Sequence, residues 1–139
     1  KFKVFTLLGD GELSEGSVWE AAISASKYQL DNLVVIIDRN KLQITGRTED
    51  VNPIEPLKNK FETFGFMVYE TDGNDVESLS STLAKVPFQT NSPNLIIANT
   101  TKGSGISFIE DKVNWHHKVP NEKEFDMAIK ELDEKLKYV

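Results

Sequence analysis

Apolar positions along this 139-residue chain switch repeatedly between two periods. Val4 to Leu8 is a compact, largely apolar run that stops at Gly9. Such a run predicts a buried strand of the parallel type. After Gly11 the period lengthens. Val18, Ala21, Ala22 and Ala25 stand at i, i+3, i+4 and i+7, which predicts an amphipathic helix from about Ser14 to Leu30 with Ser14 as its N-cap. Leu33-Val34-Val35-Ile36-Ile37 is continuously apolar and mostly β-branched, a second buried strand. The polar stretch from Asp38 to Asn52 is bracketed by structure and is expected as an ordered loop. Pro53 and Pro56 open a helix with Ile54, Leu57, Phe61 and Phe64 on one stripe, and Gly65 ends it. Phe66 to Glu70 is a strand, Thr71 to Asn74 a turn, and Val76, Leu79, Leu83 and Val86 mark another helix. A loop from Pro87 to Pro93 leads into a buried strand, Leu95 to Ala98. Thr100 to Pro120 is irregular, and a last helix carries Phe125, Ala128, Ile129, Leu132 and Leu136.

Strands alternating with helices predict an α/β fold, a doubly wound and mostly parallel sheet with helices on both faces. No internal repeat interrupts the pattern. The length suits one domain, residues 1–139. Because the chain begins without Met, inside a strand, that domain is expected to be incomplete, a piece of a longer subunit or a natural split subunit. Apolar surface should then lie open where further strands would pair. In open parallel sheets ligands bind beyond the carboxyl ends of the strands. That rule directs attention to three loops, 9–16, 38–46 and 99–105.

Composition narrows the classes. Sixteen basic against twenty-two acidic side chains leave a net charge of −6, which argues against nucleic acid or an anionic membrane as partner. There is no cysteine, so disulfides, thiolate zinc sites and thiol nucleophiles are excluded. The expected compartment is the cytoplasm, with which the lack of cysteine is compatible. No apolar run reaches the roughly 18 residues of a membrane span.

The first loop reads Gly9-Asp10-Gly11-Glu12-Leu13-Ser14-Glu15-Gly16. Its glycines let backbone approach a ligand, and the following helix N-terminus favours an anion. An aspartate beside an anion is repulsive unless a divalent cation bridges them, and Mg²⁺ is commonly held by one or two carboxylates plus phosphate oxygens. Asn40 lies thirty positions after Asp10, one strand–helix–strand passage later, and an amide oxygen suits the same ion. Plainer readings stand beside these. Gly-Asp-Gly is also a tight turn, and Asn40 a left-handed turn residue. Lys102 is also a solvated lysine, His116 a packed or surface histidine, and Trp115 a packing anchor. Glu15 and Glu20 are also ordinary charge near a helix N-terminus.

Taken in order, the motifs resemble the thiamine diphosphate enzymes, and more closely the transketolase family. The residues that carry this are Gly9 to Ala21, Asn32-Leu33, Asp38-Arg39-Asn40, Phe61 to Gly65, Lys102-Gly103-Ser104-Gly105-Ile106, Glu110-Asp111-Lys112 and Trp115-His116. They cover nearly the whole chain. The resemblance implies thiamine diphosphate and Mg²⁺ as cofactors, with Asp10, the Asn40 side chain and the Leu42 carbonyl as metal ligands. It implies that Gly9, Gly11 and Asn40 sit at the diphosphate, Ile44 near the thiazolium, and Lys102 beside the cofactor. It implies that His116 reaches diphosphate and substrate as the catalytic histidine, and that Glu15 and Glu20 face a partner subunit. The implied reaction is two-carbon ketol transfer between sugar phosphates, in a homo- or hetero-oligomer with a pyrimidine-binding domain. These residues alone are expected to be inert. Alternatives are another thiamine diphosphate enzyme, a 2-oxo acid decarboxylase or dehydrogenase or a deoxyxylulose phosphate synthase, and, motivated by the expected truncation and by His117, a non-catalytic degenerate module. One departure is His117, where the family has glycine; a bulky residue there bears on His116 and on the shape of the acceptor pocket.

Overall fold

The computed structural model describes residues 2–137. In chain order the elements are β1 (Val4–Gly9), α1 (Gly16–Lys27), β2 (Leu33–Arg39), β3 (Leu42–Gln43), β4 (Gly46–Arg47), α2 (Thr48–Val51), α3 (Leu57–Phe64), β5 (Met67–Asp72), α4 (Val76–Leu83), β6 (Asn94–Asn99) and α5 (Glu122–Leu136). Short 3-10 turns lie at Gly11–Ser14 and Val113–Trp115. Four strands form one parallel sheet in the order β1-β2-β6-β5. Gly9 pairs with Asp38, and Asn99 with both Arg39 and Asp72, so all four carboxyl ends emerge along one edge.

Helices cover both faces, as the alternation of periods requires. On one face Ala22 and Ala25 of α1, and Leu57 and Phe61 of α3, pack on Val35, Ile37, Leu95 and Ile97. Phe61 lies at the centre of an aromatic cluster, 5.2 Å from Trp19 and 5.4 Å from Phe66. On the other face Leu79 and Leu83 of α4, with Val86 and Phe88, cover Val34 and Ile96. The continuous apolar runs of β2 and β6 reflect this double burial.

Several boundaries differ from the sequence expectation. Ser14 does not cap α1. The 3-10 turn absorbs Gly11–Ser14, Glu15 takes the cap position without a side-chain bond, and the helix begins at Gly16. The stretch 38–52 is not plain loop but holds the β3–β4 ladder and α2. Ile54 is buried with the α3 stripe yet precedes the helix, because Pro56 stands at its N-cap and the turn starts at Leu57. Gly65 does end α3, in the left-handed conformation at φ 95°. Val76 is exposed, and Val86 packs from beyond α4 rather than on it. On α5 only Ala128 is buried. Of the apolar stripe, Phe125, Ile129 and Leu136 are exposed and Leu132 is partly covered against Gly105, because α5 docks on the 105–107 segment through Glu131 and Lys135 rather than on the sheet.

Candidate functional site

A cleft of about 550 Å³ opens at the carboxyl edge of β1 and β2, lined by Gly9, Asp10, Gly11, Asn40, Leu42, Ile44 and His116, together with Glu12, Ser14, Gln43 and Thr45. Topology brings these residues together. The loop after β1 and the loop after β2 leave neighbouring parallel strands, and the Asp10 N–H donates to the Asp38 carbonyl at 3.1 Å. The two loops meet closely. A side chain at position 11 would come within 2.9 Å of the Gln43 Cβ, so only glycine fits there.

Asp10 is 1% exposed. Its Oδ2 accepts from Arg39 Nη1 at 2.7 Å and from the Lys41 N–H at 2.7 Å. Its Oδ1 is buried and takes no hydrogen bond from the described residues. An acceptor of this kind is costly unless it meets a cation or water. Asn40 is also buried. Its Nδ2 donates to Asp38 Oδ2, and its Oδ1 accepts from the Leu42 N–H, both at 3.0 Å. Asp38 in turn accepts from the Thr100 hydroxyl. These bonds fix which way the Asn40 amide faces. Lys41, not Asn40, takes the left-handed backbone, at φ 65°, and so turns the chain to return Leu42 to the cleft. The left-handed role weighed for Asn40 is therefore filled by its neighbour. No cluster of three His, Asp or Glu side chains fit to hold a metal forms among the described residues. The cleft instead offers one orphaned carboxylate oxygen and an oriented amide, with Leu42 also in its lining. The carboxylate and amide oxygens are hard donors, and they fit Mg²⁺ completed by phosphate oxygens.

His116 follows the Val113–Trp115 turn and is half-buried. Trp115 is the packing anchor, 5.6 Å from Phe108 with Lys118 above its ring. Burial, then the nearby Lys102 and His117 charges, hold the His116 imidazole below the usual histidine range. The shift favours the neutral imidazole. Its Nδ1 is buried with no partner among the described residues. His117 stacks edge-on against it with ring centroids 4.6 Å apart. His117 is not among the residues of positive φ, so no left-handed backbone is needed where the family has glycine. Ile44 is 62% exposed, an apolar side chain offered to the cleft.

The remaining candidates lie outside this lining. Lys102 is near enough to act on His116 by charge but does not line the cleft. Glu15 and Glu20 are exposed on and before α1. Reading the chain alone assigned no role to Arg39, Glu49 or Glu55, although Arg39 binds Asp10 on one side and both glutamates on the other. The signal was available. Val35, Ile37 and Arg39 alternate onto one face of β2, so Arg39 had to enter the core side and find carboxylates there.

By class, this is an α/β protein with a cleft at the carboxyl edge of a parallel sheet, where such folds bind ligands. Residues 1–135 match the family described as the transketolase, thiamine diphosphate binding domain. The chain is 52% identical over 132 residues to an apulose-4-phosphate transketolase subunit of Actinobacillus succinogenes, covering 95% of this chain and 48% of that protein. It is 38% identical over 130 residues to the 6-deoxy-6-sulfo-D-fructose transketolase subunit SqwG of a Clostridium species, covering 94% and 47%. Transketolase from Campylobacter jejuni superposes with a TM-score of 0.88 at 32% identity, over 96% of this chain and 21% of that one. This chain belongs to the transketolase thiamine diphosphate-binding domain family. It spans about half the length of these two transketolase subunits.

Proposed function

We propose that this chain supplies the diphosphate-binding side of a transketolase active site, completed by the rest of its own subunit together with a partner carrying the pyrimidine-binding domain. The observation that carries the reading is the buried, unpartnered Asp10 Oδ1 in a cleft that also presents Asn40, Leu42, Gly11, Ile44 and His116. Asp10, the Asn40 amide oxygen and the Leu42 carbonyl would hold Mg²⁺, and Gly9 and Gly11 let backbone approach the diphosphate. Thiamine diphosphate, when bound, supplies the electron sink for carbon–carbon cleavage and two-carbon transfer between sugar phosphates. Ile44, exposed in the cleft lining, would give the ring an apolar contact. The neutral His116 imidazole accepts or returns a proton at a substrate hydroxyl. Lys102 adds positive charge near the phosphates and, after burial, helps hold the His116 pKa down. Glu15 and Glu20, exposed at the N-terminal side of α1, face the partner. The names of the two relatives, each a transketolase subunit, support the need for a second chain.

Calorimetric titration of thiamine diphosphate into the complete subunit with its partner tests this. Binding is expected with Mg²⁺ and is expected to vanish when the metal is chelated. Ketol transfer between sugar phosphates, without turnover of pyruvate, is the expected activity. No binding with the partner present would refute the reading in favour of a non-catalytic module.

A further inference from the structure

Arg39 is 4% exposed at the end of β2, on the same face as Val35 and Ile37. Its guanidinium joins three segments. Nη1 donates to Asp10 Oδ2 at 2.7 Å, in the loop after β1. Nη2 donates to Glu49 Oε1 at 2.8 Å, on α2, and to Glu55 Oε1 at 2.9 Å, just before α3. The two glutamates are themselves anchored. Glu55 Oε2 accepts the Leu57 N–H at 2.7 Å, and Glu49 Oε2 accepts the Glu55 N–H at 3.3 Å. Both donors that reach Asp10, Arg39 and the Lys41 N–H, converge on Oδ2. The carboxylate therefore cannot rotate without breaking two charge-assisted or backbone bonds, and Oδ1 is always the oxygen left over.

A cation next to a metal ligand ordinarily competes with the metal. Here three carboxylates share one guanidinium, and Lys60 also acts by charge on Glu55, so the Arg39 charge is not spent on Asp10 alone. We propose that Arg39 is a positioning residue for the divalent cation: its fork pins Asp10 by Oδ2 so that Oδ1 is the ligand oxygen, while Glu49 and Glu55 share its charge and leave Asp10 able to attract the metal. This rests on the metal and cofactor reading above and extends it to three residues outside the ligand set.

The sign of the effect separates a clamp from a counter-charge. Removing a positive charge beside a carboxylate should tighten metal binding; removing a clamp should weaken it. The test uses the complete subunit in complex with its partner, Mn²⁺ as probe in the presence of thiamine diphosphate, and free Mn²⁺ read by electron paramagnetic resonance. Thermal unfolding without metal is measured in parallel. In Arg39→Met, and in Arg39→Lys, which keeps the charge but not the fork, Mn²⁺ affinity is expected to fall about 10–100-fold, the usual cost of losing an outer partner of a metal ligand. In the Glu49→Gln, Glu55→Gln double variant, which keeps the Asp10 contact, affinity is also expected to fall, because the guanidinium charge then rests on Asp10 alone. Wild-type or tighter affinity in Arg39→Lys, or in the double variant, overturns the inference, as does tighter binding in Arg39→Met. A lower melting temperature with unchanged affinity overturns it too, by assigning Arg39 to the scaffold. Should Arg39→Met fail to fold, Arg39→Lys and the double variant decide alone. Failure of the wild-type assembly to bind Mn²⁺ would sink the functional reading itself, a result distinct from all of these.

Discussion

At the residue scale the site depends on which oxygen is left free. Two donors face Asp10 Oδ2, so in Asp10→Asn the amide oxygen must turn toward Arg39 and Lys41 and the amide nitrogen takes the place of Oδ1. A donor then stands where a metal needs an acceptor. Metal-dependent cofactor binding is expected to fall by more than the ~10–100-fold typical of an outer partner, as calorimetry would show, with Glu49 and Glu55 still pairing Arg39. His116 makes a pH prediction. Its folded pKa is lowered by burial and by the Lys102 and His117 charges. The folded state therefore resists protonation, and the stability tied to the neutral ring is present above the ordinary histidine value and lost as pH falls below it. Between about pH 7 and about pH 5 the wild-type melting temperature should drop more than that of His116→Asn. Equal slopes in the two proteins would contradict this.

Elements matter by how they begin and end. α5 starts with a reciprocal capping box, in which the Asn121 side chain accepts from the Glu124 N–H at 3.0 Å and Glu124 accepts from the Asn121 N–H at 2.9 Å. Asn121→Ala should cost about 1 kcal/mol, read from chemical denaturation, since it removes one half of that exchange. The capping pair was not read from the sequence, although Asn121 and Glu124 have the right spacing for it. The stripe on α5 was read correctly as helical but not as largely solvent-facing. Periodicity identifies a helix and its apolar side, not what that side meets. In the same way Ser14 had the chemistry of a cap but not the position. The chain needed a 3-10 turn to bring the loop after β1 against β3 before α1 could begin.

For the whole molecule the informative feature is the open edge. β1 has no neighbour on its outer side among the described residues. Phe5 and Leu7, exposed at 54% and 68%, point to its uncovered face. On the opposite face, small residues of α1 leave an apolar cleft of about 320 Å³ beside Thr6 and Leu8. Unpaired apolar edges of this kind drive association. The 139 residues alone should self-associate, and Leu7→Lys should lower the mass measured by light scattering. A monomeric wild-type chain would contradict that. The open edge agrees with the expectation of uncovered apolar surface.

By itself, the amino-acid sequence determined the alternation of strands and helices, the parallel sheet, the three loops at its carboxyl edge and the family, because each rests on local period or on short ordered motifs. Those signals were enough to collect Gly9, Asp10, Gly11, Asn40, Leu42, Ile44 and His116 as candidates, and all seven line one cleft. Tertiary structure alone decided that Asp10 keeps one oxygen free, that Lys41 rather than Asn40 makes the turn, and that Lys102 acts on His116 from outside the lining. It also decided that Arg39 is shared by three carboxylates separated by up to 45 positions. These follow from burial and from contacts between distant segments. A buried guanidinium must find its counter-charges wherever the fold brings them, and nothing in local sequence says where that is.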